Sequence, residues 1–599
     1  MATSSFSSFI LIFSLLSFCA IAIPEPRPAS WSSKTFGPDG PWNAVEVVIG
    51  GVGQNRTAVF PGHAWHSWFT STDYCFLTSS DHCNDAGGYP LRNSGSSRVS
   101  MEFLQPAQEW MAGVRVAGED GFMYLDDMDL LFKGDNTDYI TKTSLAIISD
   151  QMLALPNGTQ YPALLGCLSL GSPEANQTFV EVPGPNLNGT MIPWPLAKRG
   201  ATPSSSFGLH IGSGITVARM QGSLFWGGYD RNRVVGDVLA LDGGFYEPIL
   251  LKNIAITVVK GASPFAFPST SKPGLLAQGN SSLSSSAGLP IVIDPCSPYL
   301  SLPRSTCDAI ASHLPVTYCP NLGLYIWDMT SPKTTQILTS ASALSFTLPG
   351  GTNTQTLTIH VPFRHLNLTL SKPLALAPTQ YFPCYTSSGT RASVLGRAFL
   401  QDAFLSANWE SSRVWLAQAP GPNIQPGSNP VGILPGDTAI QSGGNDWATS
   451  WDGFWTPLSE KQANGTEGIP APAPVGAGNK EGEGLSAGAK AGISIGVAFF
   501  AAGLIGLGIL LWRRGWIGPS TSGFARQESE IALEGRHSVE METAMPNSSR
   551  GGGWGPVEVA GTSVRDPIPL GEVDGTSSSS SKKGLATSGR HVRSLHALA

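Results

Sequence analysis

Charged residues are scarce in this sequence. Only 13% of the residues are charged, the formal net charge is -7, and no block of basic residues occurs. Binding to a nucleic acid requires a basic surface, so this composition argues against a nucleic-acid partner. A chain of 599 residues is also too long for one hydrophobic core, and two or more folded units with tails are expected.

The N-terminus lacks the usual basic residues of a secretory signal but has its other features. An apolar run over residues 9–19 is followed at residues 20–22 by AIA, a cleavage site of the small-x-small type. An N-terminal anchor helix is the alternative, but the run is short and Pro24 and Pro26 follow at once. We predict a signal peptide over residues 1–22.

A long apolar run without any charge lies near the other end. Its 22 residues, 491–512, would extend about 33 Å as a helix, which is enough to cross a bilayer. Arg513 and Arg514 follow directly, so the positive-inside rule places the C-terminus in the cytosol. A buried core helix is the alternative, but core helices are rarely so long and so uniformly apolar. We predict a single-pass membrane protein of the secretory pathway or cell surface, with its N-terminal part outside.

N-glycosylation sequons are distributed as this topology requires. Seven of them lie upstream of the predicted span, at Asn55, Asn157, Asn176, Asn188, Asn280, Asn367 and Asn464. Asn547 also fits the pattern, but it lies on the predicted cytosolic side and should stay bare.

The few cysteines, like most of the sequons, lie upstream of the predicted membrane span. Once Cys19 leaves with the signal peptide, seven remain, all between Cys75 and Cys384. The secretory pathway is oxidising, so disulfides are expected. Because seven is an odd number, at least one thiol is free or pairs between chains.

Two segments have the composition of unpacked chain. Residues 421–490 are rich in Gly, Pro, Ser and Asn and are interpreted as a stalk, and residues 513–599 are expected to be a disordered cytoplasmic tail open to cytosolic partners. Four aromatic residues interrupt the stalk: Trp447, Trp451, Phe454 and Trp455. We expect these rings to dock on the ectodomain; contact with a carbohydrate or a lipid is the alternative.

Residues 40–420 have the pattern of a β protein. Short apolar or alternating runs such as "WNAVEVVIG", "NIAITVV" and "TLTIHV" are separated by Gly, Pro and Asn turns. A segment of this length suggests two β-rich lobes, over about 40–240 and 241–420. The expected fold class is therefore mainly β.

Five segments within residues 45–419 resemble the pepsin-like aspartic proteases, in order and spacing. They are "VEVVIGGVGQNRTAVFPGHAWHSWFTS", "YPALLGCLSLGSP", "SLFWGGYDRNRVVGDVLAL", "IVIDPCSPYLSLPRSTCDAI" and "SVLGRAFLQDAFLSANWESSRVWLAQA". The resemblance implies a bilobal pepsin-like fold with a cleft between the lobes. It also implies two D-T/S-G loops, whose aspartates share one proton and activate a water molecule for peptide hydrolysis.

Both loops depart from that pattern. Residues 61–63, PGH, stand where the first D-T-G would be, so Pro61 takes the place of the first aspartate. Asp294 retains the second carboxylate, but Pro295 and Cys296 replace the hydroxyl residue and the glycine after it. We interpret Asp294 as the remnant of an active site.

Other family features are partly retained. The glycine-bearing strands that pass behind the two loops have counterparts at residues 164–166 and 394–396. The flap has no clear counterpart, because Tyr124 is better interpreted as part of a strand and residues 110–113 match only loosely.

Other chemistry at the altered loops stays open at this point. His63 and His66 could activate a water with Asp294, or hold a metal with it, although two nearby histidines are more often surface or hydrogen-bonding residues. Cys296 could act as a nucleophile, but no base accompanies it, and a buried or disulfide-bonded cysteine is favoured. We expect no cofactor and no metal.

The resemblance also implies two disulfides. The family often closes a small hairpin after the first loop, which implies a Cys75–Cys83 bridge. It commonly ties together the second lobe, which implies a Cys319–Cys384 bridge that contributes about 4 kcal/mol in the chain-entropy model. The resemblance implies no partner for the three remaining cysteines: Cys167, Cys296 and Cys307.

The predicted function is that of a membrane glycoprotein with an inactive pepsin-like domain. It would bind or sense an extended peptide or protein ligand by strand addition in the interlobe cleft. The competing interpretation is a membrane-anchored aspartic endopeptidase that tolerates the altered loops.

The topology predicts where glycans occur. If residues 491–512 span the bilayer with the N-terminus outside, the sequons up to Asn464 are the only ones that can carry sugar. Site-resolved glycopeptide mass spectrometry should therefore find Asn547 bare. A protease added to sealed cells should leave the tail intact, and a glycan on Asn547 would reverse the predicted orientation.

Overall fold

The computed structural model describes residues 24–468 with several gaps. The gaps are residues 51–55, 73–84, 90–98, 102–114, 118–120, 135, 149–151, 159, 180–185, 244–246, 268, 280, 283–286, 351–355 and 387–392. The predicted signal peptide, membrane span and tail, together with Cys75 and Cys83, lie outside the described residues. Within the described ranges, no helix is long and apolar enough to cross a membrane.

β-Strands dominate the described chain, which confirms the predicted mainly β class. In the N-terminal half (residues 24–242) the strands are β1 (Arg27–Pro28), β2 (Trp31–Phe36), β3 (Trp42–Ile49), β4 (Arg56–Gly62), β5 (Ser67–Thr70), β6 (Val99–Met101), β7 (Arg115–Ala117), β8 (Gly121–Phe132), β9 (Asn136–Ile148), β10 (Met152–Ala154), β11 (Gln160–Pro162), β12 (Cys167–Ser169), β13 (Asn176–Phe179), β14 (Leu187–Thr190), β15 (Ser206–His210), β16 (Ser223–Trp226), β17 (Gly228–Asp230) and β18 (Val235–Asp242).

The C-terminal half (residues 247–468) is built in the same way. Its strands are β19 (Ile249–Leu251), β20 (Asn253–Lys260), β21 (Ser271–Lys272), β22 (Ala277–Gln278), β23 (Ser281–Ser282), β24 (Leu289–Ile293), β25 (Leu300–Leu302), β26 (Val316–Cys319), β27 (Leu324–Trp327), β28 (Ala341–Leu348), β29 (Leu357–Pro362), β30 (Leu368–Leu370), β31 (Thr379–Phe382), β32 (Cys384–Thr386), β33 (Ser393–Leu395), β34 (Ala403–Asn408), β35 (Arg413–Gln418) and β36 (Pro430–Gly432). The short α-helices of the described chain are α1 (Trp194–Lys198), α2 (Arg304–Ala311), α3 (Pro332–Thr339), α4 (Arg397–Leu400) and α5 (Glu460–Ala463).

In each half, one strand is inserted between the two strands that flank an altered loop. In the N-terminal half, β12 runs parallel to β4, with Leu168 opposite Pro61, and antiparallel to β5. In the C-terminal half, β33 runs parallel to β24, with Leu395 opposite Ile293, and antiparallel to β25. The first altered loop, residues 61–63, covers the end of β4 and the start of the turn to β5, and the second, residues 294–296, follows β24 directly. The two loops therefore have equivalent positions in the two halves.

The inserted strand of the N-terminal half is displaced from its predicted position. Residues 164–166 were expected to form it, but the strand is Cys167–Ser169. Gly166 directly precedes this strand: its carbonyl oxygen accepts a hydrogen bond from the N–H of Phe60 at 3.0 Å, and a Cβ on Gly166 would lie 1.8 Å from the carbonyl oxygen of Trp68. Gly166 is therefore required just before the strand. In the C-terminal half, the prediction for residues 394–396 overlaps β33, which ends at Leu395.

A six-stranded antiparallel sheet joins the two halves. Its order is β1-β16-β15-β34-β35-β18, so strands of the N-terminal half lie at both edges and a hairpin of the C-terminal half pairs in between. Leu209 of β15 lies opposite Leu405 of β34, and both side chains are fully buried. Burial of such apolar side chains holds the halves together along this sheet.

Residues 421–468, which we call the C-terminal strap, are folded onto both halves. β36 pairs with β17 of the N-terminal half, and isolated bridges join Thr456 to Ser340 and Leu458 to Gly261 in the C-terminal half. The predicted end of the folded region at residue 420 is therefore too early. Composition suggests a stalk because the strap is rich in Gly and Pro, yet the strap forms backbone hydrogen bonds both within itself and with the two halves.

The tryptophans of the strap dock as predicted. Trp447 stacks on His360 with ring centroids 4.7 Å apart, and Trp451 meets His365 edge-on at 4.6 Å. Trp455 lies 5.7 Å from Trp451, and all three rings are buried. Burial also lowers the pKa of His360 to about 4, so this ring is neutral beneath Trp447 at neutral pH.

Trp451→Ala should test how strongly the strap is attached. The side chain is 0% exposed, so its removal leaves a large cavity, and we expect the free energy of unfolding to fall by about 3–5 kcal/mol. Urea denaturation measures this loss. Leu376→Ala is the control, because Leu376 is 95% exposed and its removal should change little. An equal effect of the two substitutions would show that the strap is not part of the cooperative unit.

Candidate functional site

His63 and Asp294 meet where the two loops approach each other. Nδ1 of His63 lies 3.0 Å from Oδ1 of Asp294, with the side chains 4% and 0% exposed. The same carboxylate oxygen accepts a hydrogen bond from the backbone N–H of Cys296 at 2.8 Å. The first loop thus contributes an imidazole to the remaining aspartate, in place of the second carboxylate that the resemblance implies.

This pair has the opposite electrostatics of two neighbouring carboxylates. Burial opposes a charge on His63, but the negative charge of Asp294 and the hydrogen bond to it outweigh burial, so the pKa of His63 is raised. Two carboxylates repel each other, and that repulsion keeps one of them protonated. An imidazolium beside a carboxylate instead attracts it. In the described structure, the first loop therefore contributes a histidine to this pair and no second carboxyl group.

A disulfide joins the two halves beside this pair. Cys167 of β12 is bonded to Cys296 of the second loop, with their Cα atoms 5.9 Å apart and both side chains buried. Sequence analysis left both cysteines unassigned, and the favoured interpretation of Cys296 as buried or disulfide-bonded agrees with this geometry. A bonded and buried sulfur cannot act as a nucleophile.

Gly62 provides the space for that disulfide. A Cβ at this position would lie 2.9 Å from Cβ of Cys167 and 3.5 Å from Cβ of Cys296. A threonine in the middle of the first loop, as in a D-T-G sequence, would therefore collide with the bridge. Gly62 in the first loop and Cys296 in the second are therefore both needed for the disulfide to fit.

A second disulfide corrects one prediction. Cys384 is bonded to Cys307, with Cα atoms 5.8 Å apart, whereas Cys319 is a free thiol. The predicted Cys319–Cys384 bridge is therefore wrong. Helix α2 packs against β32 and brings Cys307 to Cys384, while Cys319 ends β26, whose partner is β27. The predicted Cys75–Cys83 bridge lies outside the described residues.

His66 belongs to different surroundings. Its Nδ1 lies 3.0 Å from the hydroxyl oxygen of Ser144, and burial lowers its pKa to about 4, so the ring is neutral. Across the described parts of the chain, no three His, Cys, Asp or Glu side chains are grouped as a metal site requires. The hypothesis of a metal bound by His63, His66 and Asp294 gains no support from this geometry.

Sequence reasoning missed Arg397, which holds the second loop from behind. Its guanidinium donates from Nη1 to the carbonyl oxygen of Cys296 at 2.5 Å and lies 3.8 Å from the centre of the Phe60 ring. Burial lowers the pKa of Arg397, and the charges of Asp39 and Asp294 oppose that effect. Arg397 directly follows Gly396, the glycine of the motif at residues 394–396. This position in the sequence was the only signal that could have identified Arg397 as a residue of the site.

The remaining predicted features lie as follows. Tyr124 belongs to β8, as expected for a strand, and its ring lies 6.0 Å from that of Tyr89. Residues 110–113 are outside the described residues. Among the predicted glycosylation sites, Asn367 is half-buried and Asn55 and Asn280 are not described, whereas the exposed ones are Asn157, Asn176, Asn188 and Asn464.

Comparisons with known proteins find similarity among solved structures only. No protein-family model matches the chain, and a search of curated proteins found no match. The chain is similar to the crystal structure of an aspartic proteinase from Irpex lacteus, with a TM-score of 0.38 and 16% sequence identity over 66% of this chain and 97% of that chain. Similarity at this level assigns no activity.

Asp294→Asn should reveal the His63–Asp294 pair through its pH dependence. Removal of one partner of a buried ion pair typically costs about 3–5 kcal/mol, so we expect a loss of that size at about pH 5. A raised histidine pKa contributes stability that is fully present below the unfolded value of 6.5 and is lost as the pH rises through the folded value. The difference between wild type and variant in the free energy of unfolding should therefore shrink as the pH rises above 6.5 in urea titrations.

The matched control is Asp308→Asn. Asp308 pairs with Arg304 at 2.8 Å, but both side chains are about half exposed, so the loss should stay below about 1 kcal/mol at every pH. A stability difference for Asp294→Asn that does not change with pH would contradict a charged His63–Asp294 pair.

Proposed function

We propose that this chain is a membrane-anchored, pepsin-like protein that binds an extended peptide or protein ligand without hydrolysing it. The pepsin-like fold is supported by the five ordered sequence motifs and by the inserted strand behind each loop. The membrane topology rests on the sequence of residues 491–512 and on the distribution of sequons.

The loss of hydrolysis rests on the chemistry of the two loops. Aspartic hydrolysis needs one ionised and one neutral carboxyl group around a water molecule. Pro61 supplies no carboxyl group in any rotamer or protonation state. Oδ1 of Asp294 already pairs with His63 and accepts the N–H of Cys296, so it is engaged by the protein itself.

The observation that carries the proposal is the Cys167–Cys296 bridge. It fixes the second loop of the C-terminal half to the inserted strand of the N-terminal half, directly over Gly62. A simple loss of the catalytic aspartate would leave the remaining loop residues unchanged. Here the loops are rebuilt as a covalent connection between the halves, which supports a structural role in fixing the width of a binding cleft.

Ligand binding would use the main chain of the cleft. Strand addition provides backbone hydrogen bonds that need no catalytic side chain, so it is compatible with the altered loops. In this proposal the ectodomain lies in the secretory pathway or at the cell surface, and the tail offers a site for cytosolic partners.

The competing function is a membrane-anchored aspartic endopeptidase. The observation that favours it is the retention of a fully buried Asp294 with Nδ1 of His63 3.0 Å away, since a histidine–carboxylate pair can polarise a water molecule. This alternative requires that the water reach a carboxylate that the protein already engages on one oxygen.

Peptide hydrolysis at acidic pH separates the two functions. The purified full chain and its Asp294→Asn variant are incubated with a peptide library, and the products are followed by mass spectrometry. We expect no turnover by either protein. Wild-type turnover that disappears in the variant, with the variant still folded by circular dichroism, would establish the endopeptidase.

A reversion experiment tests why the site is inactive. Pro61→Asp alone should not produce hydrolysis, because Pro295 and Cys296 remain in the other loop. Gly62→Thr should destabilise the protein while the disulfide is present, since the new Cβ meets Cys167 at 2.9 Å. A weak activity is expected only from a chain in which both loops are returned to D-T-G and Cys167 is replaced as well.

A further inference from the structure

A groove of about 530 Å³ lies beside the hairpin of β13 and β14, lined mostly by residues of the N-terminal half and also by Glu410 and Pro435 of the C-terminal half. A cavity of this size can enclose a small molecule or part of a longer one. The residues that line it are Thr141, Ala175, Asn176, Thr190, Trp194, Pro195, Ala197, Lys198, Arg199, Pro203, Ser205, Glu410 and Pro435. None of these residues belongs to the two altered loops, so the groove is a separate site.

Several apolar side chains line the groove. The indole of Trp194 is half-buried and is held in place by a 2.9 Å hydrogen bond from Nε1 to the carbonyl oxygen of Ser172. Proline rings at three positions add further C–H surface: Pro195, Pro203 and Pro435. A fixed aromatic face of this kind packs well against the polarised C–H groups of a saturated ring.

Hydrogen-bonding side chains also line the groove. Thr141 is exposed there and Thr190 is half-buried. The side chain of Ser205 is 0% exposed and contributes no accessible hydroxyl, and its backbone N–H is donated to Oε1 of Glu410 at 2.6 Å. A ligand rich in hydroxyl groups can form hydrogen bonds with the two threonine side chains.

The charges of the groove select against an anionic ligand. Arg199 is engaged by Asp138, which leaves Lys198 and Glu410 as oppositely charged groups on the rim. A site for phosphate or sulfate would need an excess of positive charge. An uncharged ligand with one apolar face and many hydroxyls fits these groups better, and sugars are of that kind.

We propose that this groove holds a carbohydrate chain, and that its source is the N-linked glycan of Asn176. Asn176 lines the groove, is exposed, and begins a sequon with Thr178. This inference rests on the secretory topology of the proposed function, because only a translocated chain is glycosylated. An attached sugar needs little affinity, since its tether keeps the local concentration high.

The hairpin contains its own control site. In the register of β13 and β14, Asn176 lies opposite Thr190 and Thr178 lies opposite Asn188. Asn188 begins the second sequon, and its Oδ1 accepts a hydrogen bond from Thr178 Oγ1 at 2.8 Å. Asn188 is exposed but does not line the groove. Two glycans on one hairpin therefore differ in their access to Trp194.

Enzymatic trimming of the native protein tests the proposal. The full chain is produced in a secretory host that attaches uniform high-mannose glycans, and an endoglycosidase is added under native conditions. Glycopeptide mass spectrometry then gives the trimming rate at each site. One aromatic contact is worth about 1 kcal/mol, so Asn176 should be trimmed about fivefold to tenfold more slowly than Asn188. After denaturation the two rates should be equal.

Substitution of Trp194 identifies the contact. Trp194→Ala should raise the native trimming rate at Asn176 to that at Asn188, while Leu376→Ala, at a position 95% exposed, should not. Trp194→Phe keeps an aromatic ring and should retain part of the protection, which guards against a misfolded alanine variant. Native rates at Asn176 and Asn188 that are equal in the wild type would overturn Asn176 as the source.

A titration distinguishes an attached sugar from a free one. Asn176→Gln removes the glycan, and Thr178→Val removes the same sequon without changing Asn176. Both proteins are titrated calorimetrically with a free high-mannose oligosaccharide. Equal native trimming rates together with heat that Trp194→Ala abolishes would indicate an external carbohydrate ligand, and the absence of both effects would overturn the groove as a sugar site. If no sequon carries a glycan, the predicted topology fails, and the titration alone decides the groove.

Discussion

The covalent bond between Cys167 and Cys296 is the constraint on which the centre of this protein depends. It joins an inserted strand of one half to the loop of the other, over a sequence separation of 129 residues. The bridge requires a residue without a side chain at Gly62 and a cysteine where a pepsin-like loop has glycine. Arg397 completes the arrangement by holding the carbonyl of Cys296 from behind. Each of these residues is explained by the bridge, and none of them is suited to a D-T-G loop.

The electrostatics of the His63–Asp294 pair also differ from those of two aspartates. A pair of aspartates works because like charges close together cannot both ionise at low cost, which keeps one acid neutral. His63 replaces that repulsion by an attraction, and its pKa is raised by Asp294 despite complete burial. The pair thus adds to the connection between the halves, and the proton that an aspartic protease would use in catalysis is held by an imidazole.

Two further features lie away from the His63–Asp294 pair: the C-terminal strap and the groove at Trp194. The strap adds a strand to the N-terminal half and three buried tryptophans to the C-terminal half, so it connects the halves a second time, on other elements. The groove at Trp194 is lined in part by Pro435 of the strap and offers neutral, amphipathic chemistry. Both features are compatible with the ligand-binding function that we propose.

The sequence by itself determined the β class, the positions of both loops and the absence of the first carboxylate, because these depend on local patterns and on residue identity. It also predicted that the strap tryptophans dock, but it placed the end of the folded region at residue 420, since composition cannot show that a Gly- and Pro-rich chain finds partners on distant strand edges. The pairing of Cys384 with Cys307, the bridge at Cys296 and the displacement of the inserted strand to Cys167–Ser169 were decided only by the tertiary structure. Several pairings are compatible with the same seven cysteines. The position of β12 depends on its pairing with β4 and β5, which lie far from it in sequence.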